Sequence, residues 1–440
     1  MHAHRRQLVA LAHPVYVSLL ASVAAGIINT VWVSRLGGPA VAAVAVATNT
    51  ENVLLGIALV FASGTTVLVA HARGARDPGA VRAAVRGGWA LCALVTPVVV
   101  AGGLLLREPL ARLVLGGGEG AATSLAAAYF AISLPGTAVF FAQQLVDGVF
   151  KGAGDTRTPM RLALLANGLI LVCDPFFVHA WGVRGAAAST VLCRCVALAA
   201  GLLALRRNAL LRACAKVRPA EGTGAALRRT LRTGLPMSAD FTVRQAGALA
   251  LVAIVARIGV TAVAAYAIAY KVMYVATMAF YAVRQAASIH TAHTRGAGQD
   301  QRWAIGRQAV LVSGTAGLAA AVLLGAAAPW LMAAFGAGPA VAREGVLFLR
   351  CAGPYLLLMA CCIALGGVFE GAGRADVLLR VTLLGTAVQP VLAYGLSGLG
   401  LPGICLALAL AMAVQCAAAG ALAWRSRDQE ETGACRARAV

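Results

Sequence analysis

Long apolar stretches separated by short polar segments dominate the chain. A membrane-spanning helix needs about 20 predominantly apolar residues. Twelve predicted spans of that kind lie near residues 14–34, 41–69, 87–106, 121–146, 160–180, 185–205, 234–256, 261–286, 308–328, 345–369, 377–396 and 401–424. The pattern predicts an all-α membrane protein with twelve transmembrane helices.

Composition agrees with this pattern. The 440 residues are 60% hydrophobic and only 12% charged, whereas a soluble domain averages about 45–50% apolar and about 25% charged residues. A water-soluble enzyme is therefore not expected. The 11 cysteines are scattered through apolar runs without a C-x-x-C pair, which argues against a disulfide framework or a zinc site.

The net charge of +21 has a definite distribution along the chain. Alternate loops and both termini carry 26 of the Lys and Arg residues, and the opposite loops carry 6. Because cytoplasmic loops of membrane proteins are rich in Lys and Arg, we expect both termini to be cytoplasmic and the protein to lie in the cell membrane. The basic charge reports membrane topology, so no nucleic-acid partner is expected.

The chain also contains an internal repeat. The segment VSRLG at 33–37 recurs 222 residues later as VARIG at 255–259. Further on, GVFKGAG at 148–154 recurs 219 residues later as GVFEGAG at 367–373. Each half contains an even number of predicted spans, so both halves begin on the same side of the membrane as parallel repeats.

The repeat predicts the domain organisation. The amino-terminal six-helix lobe is expected over residues 1–205 and the carboxy-terminal lobe over 234–424. Residues 206–233 carry eight Lys and Arg residues and one acid, and they are predicted to form a basic cytoplasmic linker near anionic lipid headgroups. Residues 425–440 are predicted to form a cytoplasmic tail.

Four segments resemble the multidrug and toxic compound extrusion (MATE) family. They are GVFKGAGDTRTPM at 148–160, NGLILVCDPFFV at 167–178, ASGTTVLVAHARGARD at 62–77 and GLPMSADFTVRQ at 234–245. The resemblance covers the whole chain. It implies a cation-coupled exporter of a small organic and amphipathic molecule, drug-like or a metabolite, with a central cleft between two lobes.

The resemblance also implies ion-coupling residues in the amino-terminal lobe, with departures from the family pattern. Many bacterial members have an Asp where this chain has Asn29, and Ile170 occupies a position that is often Asn. The predicted coupling residues are Asn29, Asn167, Asp174, Thr190 and, added from its own polar surroundings, Glu51. Arg244 stands where a sodium-coupled branch carries Glu, so a sodium site of that kind is not expected in the second lobe.

Two intramembrane acids leave alternatives open. Removal from water disfavours the charged form of a carboxyl group, so Asp174 can load and release a proton; the alternative is a carboxylate fixed by an Arg or by backbone donors. Glu51 lies in the polar segment ATNTEN. It is either a second titrating or substrate-contacting group, or part of a wetted polar cluster near the end of its span.

Apart from Arg161 and Arg380, which lie at the starts of their spans and are counted with the adjoining loops, five cations lie within the predicted spans: Arg194, Arg244, Lys271, Arg284 and Arg350. Asp240 and Arg244 stand four apart and are expected to form an intrahelical ion pair. Arg284 and Arg350 are expected near span ends, where long side chains snorkel. Lys271 is then the cation predicted to face the cleft.

Aromatic residues accompany Lys271 on its span. Tyr266, Tyr270, Tyr274 and Phe280 are interpreted either as an aromatic wall that contacts the substrate or as packing within the lobe. The residues predicted to contact the substrate are Asn49, Gln143, Lys271, Tyr270 and Tyr274.

Three other motifs do not support an alternative chemistry. Gly152 to Asp155 spells the GxGD of intramembrane aspartyl proteases but lies in a loop beside basic residues, and His290 with His293 lacks a nearby Cys or acid to complete a metal site. The glycine run at 116–118 leads to Glu119 and not to a Walker lysine. Catalysis and direct use of ATP are therefore not expected.

The predicted function is secondary active efflux by proton or sodium antiport, without another cofactor. The expected partners are a small-molecule substrate and the lipid bilayer, with the protein acting as a monomer. The alternative is a flippase for lipid-linked precursors from the same superfamily, which shares the two-lobe plan.

Overall fold

The computed structural model describes residues 2–34, 36–114 and 121–438. Arg35 of the repeated segment, the 116–118 glycine run with Glu119, and the last two residues of the predicted tail lie outside the described residues.

The described residues form fourteen α-helices, one short 3-10 turn and no strand, which confirms the predicted all-α fold. The helices are α1 His2–Ser34, α2 Gly38–Gly74, α3 Pro78–Leu105, α4 Arg107–Val114, α5 Ala121–Gly152, α6 Arg157–Arg207, α7 Ala209–Ala215, α8 Thr223–Ala256, α9 Val260–Gly296, α10 Arg302–Ala334, α11 Pro339–Cys351, α12 Gly353–Gly371, α13 Ala375–Leu396 and α14 Leu401–Arg438; the turn is Ser397–Leu399. Within the described part, eleven of the helices are long and apolar enough to cross a membrane.

The sixth helix accounts for the difference between eleven helices and twelve predicted spans. Asp174 and Ser189 lie 15 residues apart on α6, which in a straight helix would separate them by roughly 22 Å. Instead, the Ser189 hydroxyl donates a hydrogen bond of 2.7 Å to Asp174. The chain reverses at Gly182, whose φ of 57° and ψ of −133° are not helical. The helix therefore contains two spans, and the predicted twelve crossings are confirmed.

The predicted span at 345–369 is interrupted. Helix α11 ends at Cys351 and α12 begins at Gly353, with Ala352 between them at φ −75° and ψ −4°. Pro354 lies in the first turn of α12. Proline has no N–H to continue the hydrogen-bond ladder of the preceding helix, so one backbone hydrogen bond is missing at this point. The corresponding Pro135 in the first half lies inside the continuous α5.

The chain divides into two compact units. Val17–Ser238 form the first, called here the amino unit, and Met1–Tyr16 with Ala239–Val440 form the second, called the carboxy unit. The amino unit is packed around large buried side chains that include Phe61, Phe130, Phe141 and Phe150. The carboxy unit has one main core that includes Phe280, Met332, Phe348 and Leu356. The lobe boundaries predicted from the sequence stay a prediction.

The predicted linker at 206–233 is partly helical. It contains α7 and the first part of α8. Its backbone is fixed to the amino unit, because Arg82 donates a hydrogen bond of 2.5 Å to the Val217 carbonyl and Ala220 donates one of 3.1 Å to Gly79. This basic segment is therefore packed against α3.

The repeated glycine motif has the same packing role in both units. At Gly148 of α5, an added Cβ would lie 2.7 Å from the Ala62 carbonyl oxygen of α2; at Gly367 of α12, an added Cβ would overlap the Arg284 carbonyl oxygen of α9. Residues 62 and 284 correspond to each other at the repeat offset of 222. Small residues allow such close approach of membrane helices. The motif therefore brings corresponding helix pairs together in the two units.

Candidate functional site

Asp174 is the most deeply buried of the predicted coupling residues. Its side chain is fully buried, and one oxygen accepts the 2.7 Å hydrogen bond from Ser189. The other oxygen, Oδ2, has no hydrogen-bond partner among the described residues. Neither an Arg nor a backbone N–H of the described chain fixes this carboxyl group. That arrangement favours the interpretation of Asp174 as a titrating group over a purely structural one.

The other predicted members of this site have different hydrogen-bond partners. Thr190 donates to the Ala186 carbonyl at 3.0 Å, and Asn167 donates to Ser22 at 3.3 Å. The Oδ1 atom of Asn29 is buried without a partner among the described residues. The structure thus pairs Asp174 with Ser189, which the sequence analysis did not identify, and the roles of the other three residues stay predictions.

Glu51 is part of an ion pair. Both of its carboxylate oxygens accept hydrogen bonds from Arg194, at 3.3 Å and 3.4 Å. The side chains are 36% exposed for Glu51 and 24% exposed for Arg194. The guanidinium also lies over the Phe140 ring, 5.1 Å from its centroid. In this state the charge of Glu51 is therefore balanced by a cation on α6.

A cavity of about 20 Å³ adjoins this ion pair inside the amino unit. That volume accommodates about one water molecule. The lining includes four Ser and Thr residues from α2, α5 and α6, namely Thr50, Ser133, Thr137 and Thr190, together with Glu51, Tyr129 and Arg194. Tyr129 lies within electrostatic range of both Glu51 and Asp174, so the two acids share one polar region.

Two predicted substrate-contacting residues of the amino unit lie outside the lining of this cavity. Asn49 is exposed on α2, and Gln143 is half-buried on α5. Their contact with a substrate stays a prediction.

The carboxy unit contains a buried charge cluster. Asp240, fully buried, accepts hydrogen bonds from Arg284 at 2.7 Å and from Thr382 at 2.5 Å. It also pairs with Arg244, which confirms the predicted intrahelical ion pair. Glu370 accepts from Arg284 at 2.5 Å. Two acids and two arginines balance each other in this cluster.

The prediction that Arg284 lies near a span end and snorkels is wrong. The residue is 7% exposed, and its guanidinium is held between Asp240 and Glu370. A buried cation is retained when it is paired and hydrogen-bonded, and the two carboxylates meet that requirement. Arg350 differs, since it is exposed in the last turn of α11.

The aromatic residues of α9 divide into two groups. Tyr266 and Phe280 are 4% and 0% exposed and belong to the core, where the Tyr266 ring contacts Phe348 edge-on at 5.4 Å. Tyr270 and Tyr274 are 40% and 43% exposed. Lys271 between them is also exposed. The structure thus leaves the three predicted substrate-contacting residues of this helix accessible.

His290, near the end of α9, lies against a histidine of α1. His290 lies 2.9 Å from His4 between ring nitrogens. Within the described part of the chain, no group of three or more His, Cys, Asp or Glu side chains is arranged to hold a metal ion.

Sequence reasoning missed the partners of these charges. Ser189, Tyr129 and the pairing of Glu51 with Arg194 join residues that are distant in the chain. An intramembrane acid or base predicts that some partner exists, but only the reversal at Gly182 and the packing of α5 against both α2 and α6 identify which one.

Solved structures of other proteins share the fold of this chain. A MATE protein in complex with MaL6 superposes with a TM-score of 0.89 at 21% identity, over 98% of this chain and 97% of that chain. An outward-facing multidrug resistance MATE family transporter of the MOP superfamily gives 0.88 at 22% identity, over 96% of each chain. The chain therefore has the multi-pass α-helical fold of these solved structures.

The MatE family model matches the chain twice, at residues 14–176 and 236–395. These two matches reproduce the internal repeat, with an offset of 222 residues at their starts and 219 at their ends, and together they cover more than half of the chain. The chain belongs to the MatE family. It is a membrane transport protein and not an enzyme.

Two curated relatives are similar to much of the chain. The probable multidrug resistance protein NorM of Thermotoga maritima is 25% identical over 399 residues, 88% of this chain and 84% of that protein. The probable multidrug resistance protein YpnP of Bacillus subtilis is 24% identical over 303 residues, 68% of this chain. The chain spans 66% of the length of YpnP.

Proposed function

We propose that this protein exports a small organic molecule from the cell in exchange for a proton. The observation that carries the proposal is the match of the MatE family to both halves of the chain, together with a buried carboxyl group in the amino unit that has one hydroxyl donor and one oxygen without a partner among the described residues.

The surroundings of Asp174 support a proton as the coupling ion over sodium. Hard cations are bound by several oxygen ligands at once, whereas a proton needs only one oxygen. In the described part of the chain, Asp174 has a single hydrogen-bond partner and Glu51 is already paired with Arg194. Arg244, which pairs with Asp240 in the carboxy unit, supplies positive charge there and disfavours a sodium site.

We also propose a location and an oligomeric state for the protein. The 26-to-6 distribution of Lys and Arg supports cytoplasmic termini in the cell membrane. We propose that the protein acts as a monomer and binds no nucleic acid. The names of the curated relatives favour a multidrug exporter over the flippase for lipid-linked precursors.

The test uses the full chain in proteoliposomes loaded with a fluorescent organic compound. An imposed pH gradient is expected to drive transport, and an imposed sodium gradient at equal pH is not. Transport driven by sodium alone would contradict proton coupling. Failure of both gradients with a broad panel of compounds would contradict the exporter.

A further inference from the structure

An open groove lies on the amino unit near the end of α5 and both ends of α6. Its volume is about 460 Å³, which falls within the range of small-molecule binding sites. The lining includes Phe150, close to the end of α5, and Thr158, in the first turn of α6. The rest comes from the last two turns of α6 and from Asn208, which directly follows that helix. The groove therefore lies where two spans end.

One face of α6 forms a wall of this groove. Leu203, Ala204 and Arg207 follow Ala200 by three, four and seven residues, which places the four on the same side of the helix. The two alanines leave space that a larger side chain would fill. Over roughly 10 Å of helix, this wall changes from apolar at Ala200 to cationic at Arg207.

Arg207 supplies the charge of the groove. It is exposed in the last turn of α6, and no acid of the described residues forms an ion pair with it. A guanidinium group binds a phosphate through two parallel hydrogen bonds. Arg207 is therefore available to an anion that enters the groove.

Asn208 adds hydrogen-bond donors beside Arg207. Its side-chain oxygen accepts from the backbone N–H groups of Leu210 and Leu211, at 3.1 Å and 3.2 Å. The side-chain amide also carries two N–H donors, which these contacts do not use. The polar end of the groove thus offers a guanidinium group and an amide to the same ligand.

The chain around this polar end is basic. Residues 206–218 include five Lys and Arg residues and no acid. Asp155, which precedes Thr158 in the chain, accepts hydrogen bonds from its backbone N–H at 3.0 Å and from its hydroxyl at 2.6 Å. The charge of this acid is thus engaged at the start of α6. The surplus of positive charge favours an anionic ligand.

The order of apolar and cationic parts matches a lipid better than a free anion. In the adjoining leaflet, the acyl chains of a phospholipid lie toward the membrane centre and its phosphate lies at the interface. Ala200 and Arg207 lie in the same order along α6, since Arg207 is the last residue of the helix. Basic pockets between helices at the cytoplasmic side of membrane proteins bind anionic lipid headgroups.

We propose that this groove binds one anionic phospholipid, such as phosphatidylglycerol. Arg207 and Asn208 hold its phosphate, and an acyl chain passes over Leu203 and the two alanines. The basic linker as a whole is attracted to anionic headgroups, and the groove adds a single defined site to that attraction. This inference does not depend on the proposed export function.

The test compares two phospholipids that have the same acyl chains. Binding of phosphatidylglycerol and of phosphatidylcholine to the purified full chain in detergent is measured by native mass spectrometry at pH 7.5. We expect the first phosphatidylglycerol to bind about tenfold more tightly, a difference of 1.4 kcal/mol, because the choline group of the other lipid brings a cation close to Arg207.

Two pairs of variants locate the site. Arg207→Gln is expected to reduce the preference for phosphatidylglycerol from about tenfold to less than about threefold. Arg206→Gln is its matched control, because it removes the same charge from an adjacent exposed position outside the lining, and the preference should remain. Ala200→Leu should weaken phosphatidylglycerol at least about fivefold by filling the groove. Ala199→Leu, at an exposed position outside the lining, should not.

Three results would overturn the inference. Equal losses in Arg206→Gln and Arg207→Gln would indicate diffuse attraction to the basic segment, and unchanged binding in Ala200→Leu would place the lipid elsewhere. Displacement of phosphatidylglycerol by inorganic phosphate at about 10 mM would indicate an anion site without a lipid. Binding that persists in phosphate, with losses confined to Arg207→Gln and Ala200→Leu, is the expected outcome.

Discussion

The two units treat their buried carboxylates differently. In the amino unit, Asp174 receives one hydrogen bond from a hydroxyl group, whereas in the carboxy unit Asp240 is paired with two arginines and accepts from Thr382. Burial disfavours the charged form of a carboxyl group, and nearby cations favour it. The comparison therefore separates a buried carboxyl group with a single hydroxyl partner from one that is paired with two arginines.

The internal repeat allows residues at corresponding positions of the two units to be compared. At the offset of 222, Asp240 corresponds to Ser18 and Arg284 to Ala62; at the offset of 219, Glu370 corresponds to Lys151. The glycine contacts of the repeated motif, in contrast, occur at equivalent positions of both units. Packing is thus common to the two repeats, and the arrangement of charge is specific to each.

The largest expected effect follows from replacing Asp174, the proposed coupling residue. Asp174→Asn keeps the shape of the side chain and an oxygen that can accept from Ser189, but an amide does not titrate. We expect gradient-driven transport in proteoliposomes to fall to the level of protein-free liposomes. The control is the same thermal unfolding midpoint in detergent as the wild-type protein, which shows that the fold is retained.

Transport that persists in Asp174→Asn under an imposed pH gradient would remove Asp174 as the coupling residue. Asp174 and Asp240 would then differ in their hydrogen-bond and ion-pair partners but not in a role in coupling.

The next effect concerns the paired charges of the carboxy unit. Arg284→Met deprives Glu370 of its arginine partner and removes one partner of Asp240. Breaking a buried ion pair by removing one member costs about 3–5 kcal/mol, so this variant should unfold at a clearly lower temperature. Glu51→Gln is the comparison in the amino unit, where the partly exposed pair with Arg194 should contribute less than about 1 kcal/mol.

A double variant tests whether the stability lost in Arg284→Met comes from the broken ion pairs. Arg284→Met combined with Glu370→Gln removes the unpaired charge as well as the arginine, so part of the lost stability should return. A double variant as unstable as the sum of the single variants would show that Arg284 acts through packing and not through the ion pairs.

A third prediction tests the shared packing. Gly148→Ala and Gly367→Ala each direct a methyl group at a carbonyl oxygen of the adjoining helix, and overpacking typically costs about 1–3 kcal/mol. We expect similar losses of thermal stability for both variants. The matched control is Gly325→Ala on α10, where an added Cβ meets no atom within 4 Å; it should be neutral or slightly stabilising.

The sequence predicted the fold well because its signals are local. Span length, the distribution of Lys and Arg, and the repeated glycine motif depend on residues close in the chain or at a fixed offset. The pair Asp240 and Arg244 was predicted for the same reason, since four residues make one helical turn. Arg284 was misjudged because its partners come from α8 and α12, and sequence spacing gives no information about contacts between distant helices.

The candidate site was predicted only in part for a related physical reason. Asp174 follows from its apolar surroundings and the family resemblance, but Ser189 reaches it only because α6 reverses at Gly182. A glycine with positive φ is permitted by its lack of a side chain, and the sequence does not show which glycine of an Ala/Gly-rich chain uses that freedom.

The smallest expected effect concerns Asn29, the position where many bacterial members of the family carry Asp. Asn29→Asp introduces a second acid into the amino unit, and its charge makes the ionised form of Asp174 less favourable. Asp174 should then release its proton at a higher pH, so the pH profile of transport should move in the alkaline direction. Two unit charges about 10 Å apart at an effective dielectric near 40 interact by roughly 0.8 kcal/mol, which corresponds to about 0.6 pH unit. Transport measured from pH 5.5 to 8.5 for both forms provides the comparison, with Gln299→Glu between α9 and α10 as the control for a new acid at an exposed position. Superimposable profiles for the native and Asn29→Asp proteins would show that the two positions do not interact, and would remove Asn29 from the coupling site.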